Sequence, residues 1–425
     1  MLDFLTKKKK NTNKPHNKII LTLFVLFLYR FGSSIPLSGI DQEALSKSFL
    51  QMDNRNAIMQ IINMYSGGGT NLLTPFSLGI IPFINASIII DLLTALFPYL
   101  EKLQSEEGEA GKKKLILYKK IVTFIFSIIQ TILLISYLKN YFYSTELINL
   151  SRTALELITG SMILVWLSNI IDTKGIGNGT SIIILTNIVI GIINRNNITT
   201  NLITSNSLNN VLQIIFLLFL MILICISQTA RINIEVVSAR QLAFLEDIEK
   251  NNIANKVKNN FQLKENGLSI RLNQAGIFPI IIASNLIPFI NFIGGKFLEQ
   301  NTYIGIILYY LLIVGFNYFY TIVFWDPEKI AEQLRKASVS VINVTPGQET
   351  VLYLESVVKS TSILGGLFLC MILFFYDFIK SFILPGSSEL LNQINISSLI
   401  IVVGVAYEIQ KNVRALYKNV IEDIT

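Results

Sequence analysis

Gly175–Asn187 reads GIGNGTSIIILTN. Three glycines, Gly175, Gly177 and Gly179, fall within five residues and permit backbone angles that other residues resist. Thr180 or Ser181 is placed to cap a following helix. That helix opens at once on Ile182, Ile183 and Ile184, and Ile184 and Ile188 share one of its faces. A glycine-rich turn running straight into so apolar a helix is a membrane pattern. Phosphate cradling is the other use of such a loop. GIGNGT is not G-x-G-x-x-G, though, and no Lys-Ser/Thr pair follows it. The preceding Leu155–Ile171 reads as helix, not as the strand a nucleotide loop follows.

Working outward, apolar segments recur along all 425 residues. Hydrophobic residues make up 52% and charged residues only 15%, against about 25% charged in soluble domains. Ten candidate spans follow: 19–38, 76–97, 117–138, 153–171, 180–194, 209–229, 274–294, 302–325, 357–379 and 396–410. Most reach the roughly 20 residues that a bilayer core requires. The fifth and tenth are short. No stretch is left for a large soluble domain. Cys225 and Cys370 lie inside spans and read as inert buried thiols. His16 is the sole histidine, so a histidine metal site is excluded. No P-loop, zinc motif or nucleophile–base set is visible, and neither catalytic residues nor a cofactor are expected. The sequence shows no small-residue cleavage site after Lys7–Lys10, and no transit-peptide composition.

Charge fixes the expected topology. With ten spans, the side that holds both termini carries 27 Lys and Arg and the other side seven, Arg30 lying within the first span. That asymmetry places both termini in the cytoplasm, or in the stroma of a plastid. The basic face either answers to anionic lipid or docks an acidic or polyanionic partner. Its loops at 230–273 and 326–356 are longer than ordinary connections.

Several features lie at membrane depth. Ala57–Tyr65 is long enough for a short helix but not for a span. It precedes a glycine hinge at Ser66–Gly69, which suits either a re-entrant, movable element or an ordinary surface helix. The second span opens LGIIPFIN at 78–85, with Pro82 in the first turn and Ile80 and Ile84 repeating the pairing of Ile184 and Ile188. By themselves such stripes read as lipid-facing or packed. Asn85, Ser87, Gln130, Ser284 and Asn285 place uncharged hydrogen-bonding groups on three spans, where they bridge helices for about 1 kcal/mol each. Asp91 is the one carboxylate well inside a span. It is either functional by virtue of its depth or near enough to the cytoplasmic end to reach water.

Together these pieces resemble the SecY family of protein-conducting channels, over essentially the whole chain. The resemblance rests on SGGG at 66–69, LGIIPFINASIIIDLLT at 78–94, EEGEAGKKK at 106–114, GIGNGTSIII at 175–184, NQAGIFPIIIAS at 273–284 and TPGQETVLYL at 345–354. It implies an all-α polytopic fold, with ten transmembrane helices in two inverted halves, 1–195 and 196–425, around a central pore. It implies a plug helix at about 57–65, with Ala57, Ile58, Ile61, Ile62 and Tyr65. A pore ring would comprise Ile80, Ile84, Ile184, Ile188, Ile281 and Ile401. Asn85, Gln130 and Asn285 would be the polar residues of a lateral gate. Motor or ribosome docking would use Arg231, Arg240, Arg335, Lys336, Pro346 and Gly347.

The implied function is passage of unfolded preproteins, with signal and transmembrane segments released sideways into lipid. The implied partners are a SecE subunit, the SecA motor, a SecG-like subunit, a YidC/Alb3-type insertase, the ribosome, preproteins and membrane lipids. Direct nucleic-acid recognition is not expected. Three positions depart from the family pattern: Thr345 stands where the family has Arg, Asp91 where it commonly has Gln, and the basic cluster after the sixth span is thinned to Arg231 and Arg240. The wealth of Asn, Ile and Lys, and Val237–Arg240, point to a plastid thylakoid membrane ahead of a bacterial plasma membrane. A secondary transporter with inverted repeats is the alternative from another class. Scarce intramembrane charge and long basic loops speak against it.

Overall fold

The computed structural model describes residues 15–45, 73–105, 107–194, 207–238, 267–284, 286, 302–342, 344–382 and 396–422. Its helices are α1 (Pro15–Gly32), α2 (Ile81–Leu96), α3 (Pro98–Ser105), α4 (Gly108–Leu138), α5 (Leu147–Lys174), α6 (Gly179–Asn194), α7 (Ser207–Thr229), α8 (Thr302–Phe324), α9 (Pro327–Lys336), α10 (Gln348–Phe382) and α11 (Ile396–Glu422). Nine of the ten expected spans coincide with a helix. The seventh is helical at 278–284.

Among the described residues, six helices are long and apolar enough to cross a membrane, and Ile81–Leu96 and Gly179–Gly191 are shorter apolar helices. At 1.5 Å per residue the 16 residues of α2 reach about 24 Å, short of a roughly 30 Å hydrocarbon core. The turns at 75–80 extend its path. Pro82 lies in the first turn of α2 as expected.

The chain forms two compact units. The first comprises Met1–Ile215 with Gly386–Thr425. The inverted halves expected at 1–195 and 196–425 are therefore a different division from this one, because α11 packs with the first unit, against α6 and α1. In this unit α2 packs on α4, α4 on α5, and α5 on both α6 and α1. The unit also holds an apolar cluster of Leu37, Ile40, Leu45, Leu73, Leu78, Leu138 and Leu157. Leu45 and Leu73 thus belong to the same cluster. Backbone bonds reinforce it: Leu37 N–H donates to Leu73 O at 2.8 Å, and Leu73 N–H donates to Gln42 Oε1 at 2.9 Å.

The second unit, Phe216–Pro385, contains a feature the sequence reading lacked. Three strands, β1 (Arg231–Ser238), β2 (Gly267–Arg271) and β3 (Val339–Val341), form an antiparallel sheet in the order β2-β1-β3. Ile232 lies opposite Ile270 and Val236 opposite Val341. The all-α expectation therefore holds for the spans and is corrected for the loops. Arg-Ile-Asn-Ile-Glu-Val at 231–236 alternates polar and apolar residues, a strand signature. Ile234, Ile270, Ala331, Val341, Leu354 and Val358 form the core beneath the sheet. Beside it α9 is started by Asp326, whose carboxylate accepts from the N–H groups of Glu328 and Lys329.

Candidate channel and docking sites

The 175–179 turn is built by its own side chains. Gly177 has φ +72°, a conformation that favours glycine. Gly179 N–H donates to Asp172 Oδ1 at 2.6 Å, so a carboxylate from the chain itself takes an N–H that a phosphate would need. Asn178 is the cap. Its Oδ1 accepts from Thr180 N–H at 3.1 Å and from Thr180 Oγ1 at 2.6 Å. The expected capping by Thr180 or Ser181 is corrected accordingly: Thr180 donates its hydroxyl to the cap, and the helix begins at Gly179. The turn and α11 flank a cavity of about 500 Å³ lined by Asp172, Gly177, Asn178, Glu408 and Asn412 among others.

The six isoleucines named from the resemblance, Ile80, Ile84, Ile184, Ile188, Ile281 and Ile401, are all buried, at most 6% exposed. On α4, by contrast, Ile121, Ile125, Ile129 and Ile132 are about half exposed, as a lipid-facing row would be. Five of the six belong to the first unit, and Ile281 belongs to the second. Ile80 immediately precedes α2 and Ile84 follows one turn later, its N–H donating to Ile80 O at 3.1 Å.

Gln130 is buried, and its Nε2 has no hydrogen-bond partner among the described residues. Asn85 is half-buried on α2. The plug residues Ala57, Ile58, Ile61, Ile62 and Tyr65, together with Asn285 and Arg240, lie outside the described residues. Asp91 does not simply reach water. Lys119 of α4 meets its carboxylate at 2.9 Å, both side chains being about a quarter to a third exposed.

The described parts of the two long basic loops share one sheet in the second unit, because β1 belongs to the first loop and β3 to the second. Arg231 lies opposite Arg271 in register. Arg231, Arg335, Lys336, Pro346 and Gly347 are all exposed. Lys336 pairs with Glu332 at 2.9 Å. Thr345, in the family's arginine position, donates its hydroxyl to Glu349 Oε2 at 2.5 Å. Cys225 and Cys370 are free thiols; Cys225 lies on the outer surface of α7 within an apolar span, and Cys370 is partly buried. Among the described residues no group of three or more His, Cys, Asp or Glu could hold a metal ion.

Sequence reasoning missed a second constellation in the first unit. Tyr29 of α1 is 1% exposed and donates its phenol to Asn187 Oδ1 on α6. Its ring stacks on Phe76 with centroids 5.8 Å apart. A tyrosine deep in an apolar span, needing a hydroxyl partner, was the available signal.

Comparison with solved structures shows that this fold is shared with chains described as protein-conducting channels. The fold is similar to a chain described as "The structure of a protein conducting channel", with TM-score 0.65 at 15% identity, covering 95% of this chain and 93% of that one. It is likewise similar to Sec61 in the canine ribosome–channel complex from the endoplasmic reticulum, with TM-score 0.60 at 15% identity, covering 95% and 93%. The SecY family model matches residues 74–410. Protein translocase subunit SecY of Pyropia yezoensis is 35% identical over 94% of this chain and 95% of its own length. The subunit of the same name from Synechococcus elongatus is 33% identical over 96% and 94%. The chain belongs to the SecY family, in its plastid and cyanobacterial branch, and is the channel subunit of the Sec translocase. It is an integral, multi-pass membrane protein. The transporter alternative falls with this assignment.

Proposed function

We propose that Ile80, Ile84, Ile184, Ile188 and Ile401 form the constriction of the channel, and that Ile281 of the second unit serves the same ring. The observation that carries this is their burial beside other spans whose isoleucines face outward. Branched apolar side chains offer no fixed hydrogen bonds to an ion or a peptide. Such a gasket opposes ion passage while deforming around a moving chain. Residues 57–65 serve as the plug, and Asn85, Gln130 and Asn285 as the polar part of the lateral gate. Gln130 Nε2 forms no hydrogen bond among the described residues, and a gate held by so few polar bonds, each worth about 1 kcal/mol, parts easily for an apolar signal segment. The protein is a conduit and performs no catalysis.

The joined loops of the second unit form the docking face, through Arg231, Arg240, Arg335, Lys336, Pro346 and Gly347. The partners are a SecE subunit, the SecA motor or the ribosome, with a SecG-like subunit and a YidC/Alb3-type insertase. Support comes from the exposure of Arg231, Arg335, Lys336, Pro346 and Gly347 and from similar solved chains, one of them described as an idle yeast Ssh1 complex bound to the yeast 80S ribosome. The relatives and the Asn-, Ile- and Lys-rich composition favour a plastid thylakoid membrane, with both termini in the stroma.

The test is site-specific crosslinking from Ile184 and Ile281 to a stalled secretory chain, joined to ion-leak measurements on Ile281→Asn and on deletion of 57–65. Crosslinks from both positions and raised leak are expected. An engaged chain that crosslinks to neither position, with unchanged leak in both variants, would sink the ring and plug assignments.

A further inference from the structure

Helix α6 has an orientation problem. Ile182, Ile183, Ile184, Leu185, Ile188, Val189 and Ile190 are distributed around its whole circumference. In lipid, apolar burial does not choose between such faces, since lipid tails are as apolar as the neighbouring helices. Something else must decide which isoleucines turn inward. Asn187 lies between Ile184 and Ile188 and accepts from the phenol of Tyr29. Thr186, the neighbouring polar residue, bonds within its own helix to Ile182 O at 2.8 Å. It therefore carries no information about a neighbouring helix.

Tyr29 also touches a second element. Its ring stacks on Phe76 with an interplanar angle of 22°. Phe76 is seated on Gly32 at the end of α1, where a Cβ would stand 2.2 Å from the Phe76 ring. From Phe76 the chain turns once, with Gly79 N–H donating to Phe76 O at 2.8 Å and Gly79 at φ +59°. It then delivers Ile80 and Ile84. One residue of α1 is thus joined to both segments that supply paired isoleucines. A buried polar group that fixes register is a known use of such contacts.

We propose that Tyr29 is the positioning residue for the two isoleucine pairs. Its phenol sets the rotation of α6 through Asn187, and its ring sets the entry of α2 through Phe76. This rests on the ring assignment for its functional consequence, but the positioning itself can be read separately. The test uses the assembled translocase in proteoliposomes, with Cys225→Ser and Cys370→Ser as background and Ile184→Cys as reporter. Tyr29→Phe removes only the hydroxyl, and Asn187→Leu removes its acceptor.

Each change is expected to alter maleimide labelling of the reporter several-fold, with protein amount and unfolding temperature near the parent. The double variant is expected to go no further than either single one, as for two members of one contact. Without the reporter, both variants are expected to raise ion leak. Unchanged labelling in both single variants overturns the proposal. So does a labelling change that appears only together with loss of folded protein, or one that adds fully in the double variant. Ile184→Asn serves as the control for the ring. If it fails to leak while Tyr29→Phe still changes labelling, the ring assignment falls and the positioning stands.

Discussion

Replacing Gly179 by alanine tests how tightly the 175–179 turn joins α5 to α6. A Cβ at this position would stand 2.3 Å from Ser168 O and 2.9 Å from the Ser168 carbonyl carbon and Cα. Ordinary contacts lie at about 3.5 Å, so the two helices must separate by roughly 1 Å. The obstacle is helix backbone, which no rotamer change relieves. Separation also strains the 2.6 Å bond from Gly179 N–H to Asp172. Overpacking of this kind costs about 1–3 kcal/mol, and a bond to a charged group adds about 1.5–3 kcal/mol if it is lost. Against this, alanine is the better helix former by about 1 kcal/mol. The steric terms win, leaving a net loss of about 3 kcal/mol, a factor of roughly 150 in the folding equilibrium. Thermal unfolding in detergent, followed by circular dichroism, measures this against Gly305→Ala. A Cβ at Gly305 meets nothing within 4 Å, so that control is expected to equal or exceed the parent. Equal unfolding temperatures for Gly179→Ala and the parent would refute the close-packing account.

Three further outcomes are expected. Neutralising Asp91 with asparagine should cost no more than about 1 kcal/mol, because its pair with Lys119 is partly exposed; the charge swap Asp91→Lys with Lys119→Asp should recover most of it, both read by thermal unfolding. Ile234→Ala empties part of the core beneath the sheet and should cost about 3 kcal/mol locally, seen as faster protease cleavage between residues 230 and 273 while the membrane helices stay intact. Asp326→Ala removes the cap of α9 and should cost about 1 kcal/mol, measured as faster amide hydrogen exchange at Glu328 and Lys329.

Much of the fold was legible because membrane insertion is a nearly local property. A run of about 20 apolar residues announces a span without knowledge of its neighbours, and the positions of α4, α5, α7, α8 and α10 agree with that reading. The loops were less legible. β1 pairs Val236 with Val341, a partner more than a hundred residues away that no local window contains. The alternation at 231–236 was visible, but long basic connections between spans made a loop the easier reading. The cap of α6 was misassigned by two or three residues, because Asn178, Thr180 and Ser181 are all capable caps. Only the geometry of Asp172, which fixes Gly179 N–H, determines which one serves.

The candidate site divides in the same way. The chain alone, through its motifs, supplied Ile80, Ile84, Ile184, Ile188, Ile281 and Ile401, and it supplied Asp91 as an anomaly. It did not supply Lys119 as the partner of Asp91, or Tyr29 and Phe76 as the neighbours of the isoleucine-bearing segments. Hydropathy decides that a helix lies in the bilayer, since that free energy is a sum over single residues. Which face it turns to its neighbours depends on pairs, Tyr29 with Asn187 and Gly179 with Ser168, that exist only once distant segments have packed.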